Sequence, residues 1–260
     1  MVAIKKAYQD AKEFVDSFIN STSSVSSTSQ EDAHAWYATW EDNYIGDFLN
    51  NNITKSVLRK VADTYYAGQL DDLILQSTEL SELTYPVSYS IYKDCCEKLG
   101  FLHFPRLYVT GQLQGINALS VEVKGKRFIL LSRMAIVLLN EKELKFILGH
   151  ELSHHQQGNL VCHTVNGLLG TLCNKYEVFG PIMADTIEVP MKRWCRQSEF
   201  NADRAGFICC GDMETIETLF AKIYEKNGRT PYTNVYELYE EHPLLKARIS
   251  CLKDFCLCIK

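Results

Sequence analysis

Residues 140–158 read NEKELKFILGHELSHHQQG, and the fold turns on them. Leu144, Ile147, Leu148 and Leu152 recur at the three- and four-residue spacing of an amphipathic helix. Asn140 with Glu143 three residues on resembles a capping box, which starts the helix at Glu141. Gly158 supplies a stop, so the helix is expected from Glu141 to about Gln157. Within it, His150, Glu151 and His154 spell H-E-x-x-H. Positions i and i+4 share one helix face, so both imidazoles can converge on one zinc ion. Glu151 lies beside that pair, close enough to accept a proton from a zinc-bound water. His155 points about 140° round the helix from His150 and reads as structural. An amphipathic helix with two incidental histidines would show the same short motif.

A catalytic zinc site needs a third protein ligand and an open position for water. The pattern H-E-x-x-H-x-x-G-x-x-H fails, because Gln157 and Leu160 stand where its glycine and third histidine belong. A second helix offers another route. Residues 198–206 read SEFNADRAG, with Glu199 and Asp203 four apart on one face. Glu199 can ligate the metal, and Asp203 can accept an imidazole N–H, orienting the ring. Near the C-terminus, His242 precedes Pro243, a residue suited to the first turn of a helix. His242 is then free at the helix mouth, where it could donate to a developing oxyanion.

Taken in order, HELSH (150–154), E-x-x-A-D (199–203) and HPLLKARI (242–249) resemble the M48 family of zinc metallopeptidases. That family includes the HtpX heat-shock proteases, CAAX-processing proteases and soluble minigluzincins. The resemblance covers roughly residues 86–258. It implies an α+β, mainly helical gluzincin fold with a small central β-sheet. His150, His154 and Glu199 would bind one Zn2+, with Glu151 as general base. Asp203 would orient a zinc-bound histidine, His242 would stabilise the oxyanion, and Arg248 would support that site. Asn117, Ala118, Leu119 and Ser120 look like the family's substrate-binding edge strand, to which an extended peptide would add by main-chain pairing. Most members are integral membrane proteins. Here the linker 155–198 carries Pro181, Asp185, Glu188 and Pro190 and is too short and polar for a hairpin of two spans. A soluble, minigluzincin-like endopeptidase is therefore expected.

The rest of the chain is consistent with that class. Pro86 opens a helix over about 87–99, ended by Gly100. Residues 105–110, 116–123 and 127–131 read as strands, the last two joined by Lys124-Gly125-Lys126. Ser132 caps a short helix to Leu139, and further helices are expected near 159–174, 191–209, 213–227, 232–240 and 243–258. Residues 1–20 carry a helical apolar stripe, and 21–30 (STSSVSSTSQ) read as a flexible loop. Residues 31–83 look helical, with Trp36, Trp40 and Tyr44 on one face as packing aromatics. Residues 1–84 thus form an N-terminal helical region, either scaffold or latency segment, before a metallopeptidase domain at 85–260.

Length and charge bound the function further. At 260 residues the chain makes one or two domains. Its 46% apolar and 23% charged residues are ordinary for a globular protein. A net charge of 27 − 32 = −5 argues against nucleic acid or an anionic membrane as the main partner, while the resemblance implies a polypeptide substrate. No run reaches the roughly 18 apolar residues of a membrane span. The opening MVAIKKAYQD does not read as a secretory signal. Ten cysteines without paired CxxC knuckles then suggest reduced, buried thiols and a cytoplasmic location. Two other readings compete with the endopeptidase. A latent or non-catalytic zinc-stabilised domain would bind protein partners without turnover. An aminopeptidase would need an acidic anchor for a free N-terminus, and no G-x-M-E-N-type motif occurs.

Overall fold

The structure is a computed structural model that describes residues 37–38, 59, 63, 68, 70–157, 160, 189–226 and 245–258. All of them belong to one compact unit, 33–260. The Ser/Thr tract, Trp36, Trp40, Tyr44, His163, His242 and the helices expected near 159–174 and 232–240 lie outside the described residues.

The described chain is mainly helical around one four-stranded sheet. Its strands are β1 (Thr78–Glu79), β2 (Arg106–Thr110), β3 (Ala118–Val123) and β4 (Lys126–Ser132). The order is β1-β2-β4-β3. β2 runs parallel to β4, while β1 and β3 are antiparallel to their neighbours. β3 and β4 form a hairpin whose flanking pair is Val123 and Lys126. Its two-residue loop, Lys124-Gly125, has positive φ at both positions, 50° and 67°, as the primed turn that matches strand twist requires. β3 is left as an outer strand of the sheet.

β1 corrects the expectation that residues up to 83 are helical. Helical residues 70–75 give way to a strand at Thr78 and Glu79, paired with Val109 and Tyr108. Two residues carry no periodicity, so only the backbone of β2 defines this strand.

The helices are α1 (Pro86–Lys98), α2 (Arg133–Leu138), α3 (Glu141–Gln156), α4 (Val189–Cys210), α5 (Met213–Lys226) and α6 (Leu245–Cys258). Local chemistry sets their starts. Ser132 Oγ accepts from the Ala135 N–H at 3.1 Å and starts α2. At α3 the capping box is complete: the Glu143 N–H donates to Asn140 Oδ1 (3.0 Å), and the Asn140 N–H donates to Glu143 Oε2 (2.8 Å). Lys222 of α5 also donates to both Glu143 oxygens (2.5 and 2.7 Å), compensating a buried charge. Leu144, Leu148 and Leu152 bury the apolar stripe of α3 among Leu107, Val109, Ile129 and Leu131 of the sheet.

α3 and α4 cross at very close range. A Cβ at Gly149 would stand 2.8 Å from the Ala205 carbonyl oxygen and 2.8 Å from Cys209 Sγ. A Cβ at Gly206 would stand 2.7 Å from the Phe146 ring. Each glycine thus admits the other helix. The eight described cysteines are free thiols, six of them buried. Burial pushes the Cys96 thiol up to about 12.

Residues upstream of α1 join this core. Tyr37 is 2% exposed and donates its hydroxyl to Gln156 Oε1 at 2.6 Å, at the C-terminal end of α3. The Tyr37 carbonyl accepts from Arg204 of α4 at 3.2 Å. Arg59 donates to the buried Glu122 of β3 (2.8 Å), which Arg127 also engages (2.9 Å). Asp63 accepts the Lys124 N–H at 2.6 Å. Tyr37→Phe should lower stability by about 1–2 kcal/mol, because a part-buried acceptor loses its donor. A denaturant melt of both chains checks this, and an unchanged midpoint would mean the hydroxyl contributes nothing.

Candidate metal centre

The Gly149–Gly206 crossing brings α3 and α4 together; His150 follows Gly149 directly, and Glu199 lies about two turns before Gly206 on α4. His150, His154 and Glu199 are all buried, and one ligand atom from each lies within 4.8 Å of the others. His154 Nε2 is 3.3 Å from Glu199 Oε1, and His150 Nε2 is 3.5 Å from Glu199 Oε2. Each imidazole nitrogen thus faces a different oxygen of the same carboxylate, and the three side chains gather on one spot.

The far side of each ring is held in a way that frees the ligating nitrogen. His150 Nδ1 lies 3.1 Å from Asp203 Oδ1. With the proton on Nδ1, the ring donates to Asp203 and turns the Nε2 lone pair toward Glu199. His154 Nδ1 lies 3.3 Å from Ser198 Oγ, an arrangement of the same kind with a neutral hydroxyl. Asp203 is itself fixed by Arg248 of α6, whose Nε and Nη2 donate to its two oxygens at 2.7 and 2.5 Å. Such a fork supplies orientation as well as charge. The guanidinium lies 4.8 Å from the Phe220 ring centre, so it is packed as well as paired.

Burial raises the cost of ionising Asp203, but the Arg248 guanidinium outweighs it and holds the carboxyl below its usual range. Burial likewise opposes charge on His150, yet Glu199 and Asp203 push its pKa up to about 10. Arg248 faces both carboxylates: it forks onto Asp203, and its Nη1 lies 3.9 Å from Glu199 Oε2. Two imidazole nitrogens with one carboxylate suit a borderline-soft divalent ion such as zinc.

Glu151 follows His150 on α3 and is 7% exposed. Its Oε2 accepts a 2.7 Å hydrogen bond from Ser120 Oγ on β3. Asn117 lies just before β3, where its N–H donates to Ser132 Oγ and its carbonyl accepts from the Ser132 N–H. Ala118 and Leu119 pair with Leu131 and Leu130, and Leu119 is 44% exposed. His155 is buried, and burial depresses its pKa to about 3; its Nε2 has no hydrogen-bond partner among the described residues.

The structure thus brings together His150, His154, Glu199, Asp203 and Arg248, with Glu151 adjoining. His242, expected to donate to the oxyanion, lies outside the described residues. Two partners had no signal in the sequence motifs: Ser198 behind His154, and Ser120 on the Glu151 carboxylate. Ser198 directly precedes Glu199, so its spacing was visible although its partner was not.

Comparisons with known proteins agree with this geometry. The model of peptidase family M48 matches residues 89–255. The plastoglobule-localized metallopeptidase 48 of Arabidopsis thaliana is 28% identical over 152 residues, covering 58% of this chain and 42% of the plant protein. A protease HtpX homolog of Ralstonia nicotianae is 25% identical over 202 residues, covering 66% of this chain and 68% of its own. A second HtpX homolog, from Burkholderia thailandensis, is 23% identical over the same length. The chain therefore spans less than half of the plant relative and about two thirds of the bacterial ones. No helix of the described residues is long and apolar enough to cross a membrane. With the metal-ligand triad set on two crossing helices and a family match over most of the chain, this protein belongs to peptidase family M48.

Proposed function

We propose that the chain is a soluble zinc-dependent endopeptidase that cuts extended or unfolded polypeptide segments. The observation that carries this reading is the buried His150–His154–Glu199 cluster, with Glu151 next to His150 in the chain and its carboxylate held by Ser120 of an outer strand of the described sheet. His150, His154 and Glu199 would hold Zn2+, which lowers the pKa of bound water and polarises a carbonyl when present. Glu151 would take the proton of the attacking water and return it to the leaving amine. Asp203 keeps His150 in one tautomer, and Arg248 keeps Asp203 charged and in place. His242 would donate to the oxyanion. Asn117, Ala118, Leu119 and Ser120 would receive the substrate backbone along β3, which among the described residues is an outer strand of the sheet.

The test is digestion of a denatured-proteome peptide library. Cuts within peptides, abolished by a zinc chelator and restored by added zinc, are expected. Cuts confined to the first residue would make the enzyme an aminopeptidase. No cuts by chain carrying its full metal complement would overturn catalysis and leave a metal-stabilised binding domain.

A further inference from the structure

Ser120 and Glu122 are the buried polar residues of β3, two apart and so on the same face. The register partner of Ser120 on β4, Ile129, is fully buried. Ser120 itself is 4% exposed. A hydroxyl sealed among such neighbours needs a partner. Ser120 Oγ has two acceptors in reach on one residue: Glu151 Oε2 at 2.7 Å and the Glu151 main-chain oxygen at 3.0 Å. One hydroxyl carries one proton, and the charged, nearer acceptor takes the stronger bond. Among the described residues, Ser120 is the only one whose hydrogen bond to the Glu151 carboxylate is seen.

We propose that Ser120 is a positioning residue for the general base, holding Glu151 Oε2 so that Oε1 stays turned toward the reacting water. The inference rests on the endopeptidase reading above. It gives Ser120 a different task from substrate pairing. The side chain serves Glu151, while the main chain of the same strand remains available to a peptide. It also ties the outer strand to the acid–base group, so any shift of β3 against α3 moves the carboxylate.

A carboxylate left to rotate loses reactive geometry, not substrate affinity. Ser120→Ala should therefore lower kcat about ten- to a hundredfold, with KM within about twofold. Zinc content should match the wild type, the melting temperature should fall by a few degrees because a buried carboxylate loses its donor, and Ser120→Thr, which keeps the hydroxyl, should recover most of both losses. If the alanine variant does not fold, Ser120→Cys keeps the volume with a weaker donor and should still lower kcat at constant KM. A wild-type kcat in Ser120→Ala, a rise in KM with kcat kept, or a loss that threonine does not restore would each overturn the inference. The Glu151→Gln variant separates this failure from that of the parent reading. If Glu151→Gln turns over normally, the general-base assignment falls and the Ser120 role with it. If Glu151→Gln is inactive while Ser120→Ala is fully active, only the Ser120 role falls.

Discussion

Glu151→Gln should keep its metal and lose turnover by about 10²–10⁴-fold, the range that general acid–base catalysis supplies. The substitution is nearly isosteric and touches none of the three ligand atoms, so metal content should equal the wild type's. It also leaves an amide oxygen to accept the Ser120 hydroxyl, 2.7 Å away in the native chain. Stability should change little, because Glu151 forms no ion pair seen among the described residues. Metal analysis and peptide turnover on the same preparation check both halves. Full activity in the variant would remove Glu151 from the chemistry. Lost metal would show that the loss of turnover came from the site and not from the base.

Gly149→Ala should damage both stability and metal binding. Two effects oppose each other here. Alanine is the better helix former, by about 1 kcal/mol over glycine in a helix interior. Against that, the added Cβ would lie 2.8 Å from the Ala205 carbonyl oxygen and 3.0 Å from Cys209 Cβ. One of those atoms is backbone and cannot swing away, so α3 and α4 must separate. Overpacking of this kind costs roughly 2–4 kcal/mol, which outweighs the propensity gain. The same separation draws Glu199 away from His150 and His154. Weaker zinc retention in a chelator competition should therefore accompany the lower denaturation midpoint. An unshifted midpoint would mean that the crossing relaxes without loss.

What the sequence made legible was local. The start of α3 could be read because Asn140 and Glu143 cap it through bonds within four residues. The ligand turns could be read because His150 and His154, and then Glu199 and Asp203, each sit one helical turn apart. The hairpin could be read from Lys124-Gly125. The illegible parts depend on distant partners. β1 exists only through β2. Tyr37 lies in the described core through contacts with α3 and α4 that no local pattern marked, while Trp36, Trp40 and Tyr44 lie outside the described residues. Arg248 was expected to support the oxyanion site, and nothing in the sequence pointed to its fork on Asp203. Ser120 stood out only as part of a strand, and nothing around it in the chain points to Glu151. Gly149 and Gly206 were open to a sharper reading. An isolated glycine in a strongly helical pattern carries a propensity cost and so signals a close neighbour.

The glycine crossing also bears on how this enzyme could vary. The geometry of the ligands is set where α3 touches α4, not by the 44 residues at 155–198 that join His154 to Glu199. Lengthening a flexible connection costs only about 0.6 kcal/mol per doubling. A bound ion joining both helices would fasten the two ends of that connection from inside the core. The segment between them is then the place where a lineage could add or remove chain, even whole accessory elements, while the chemistry stays where it is.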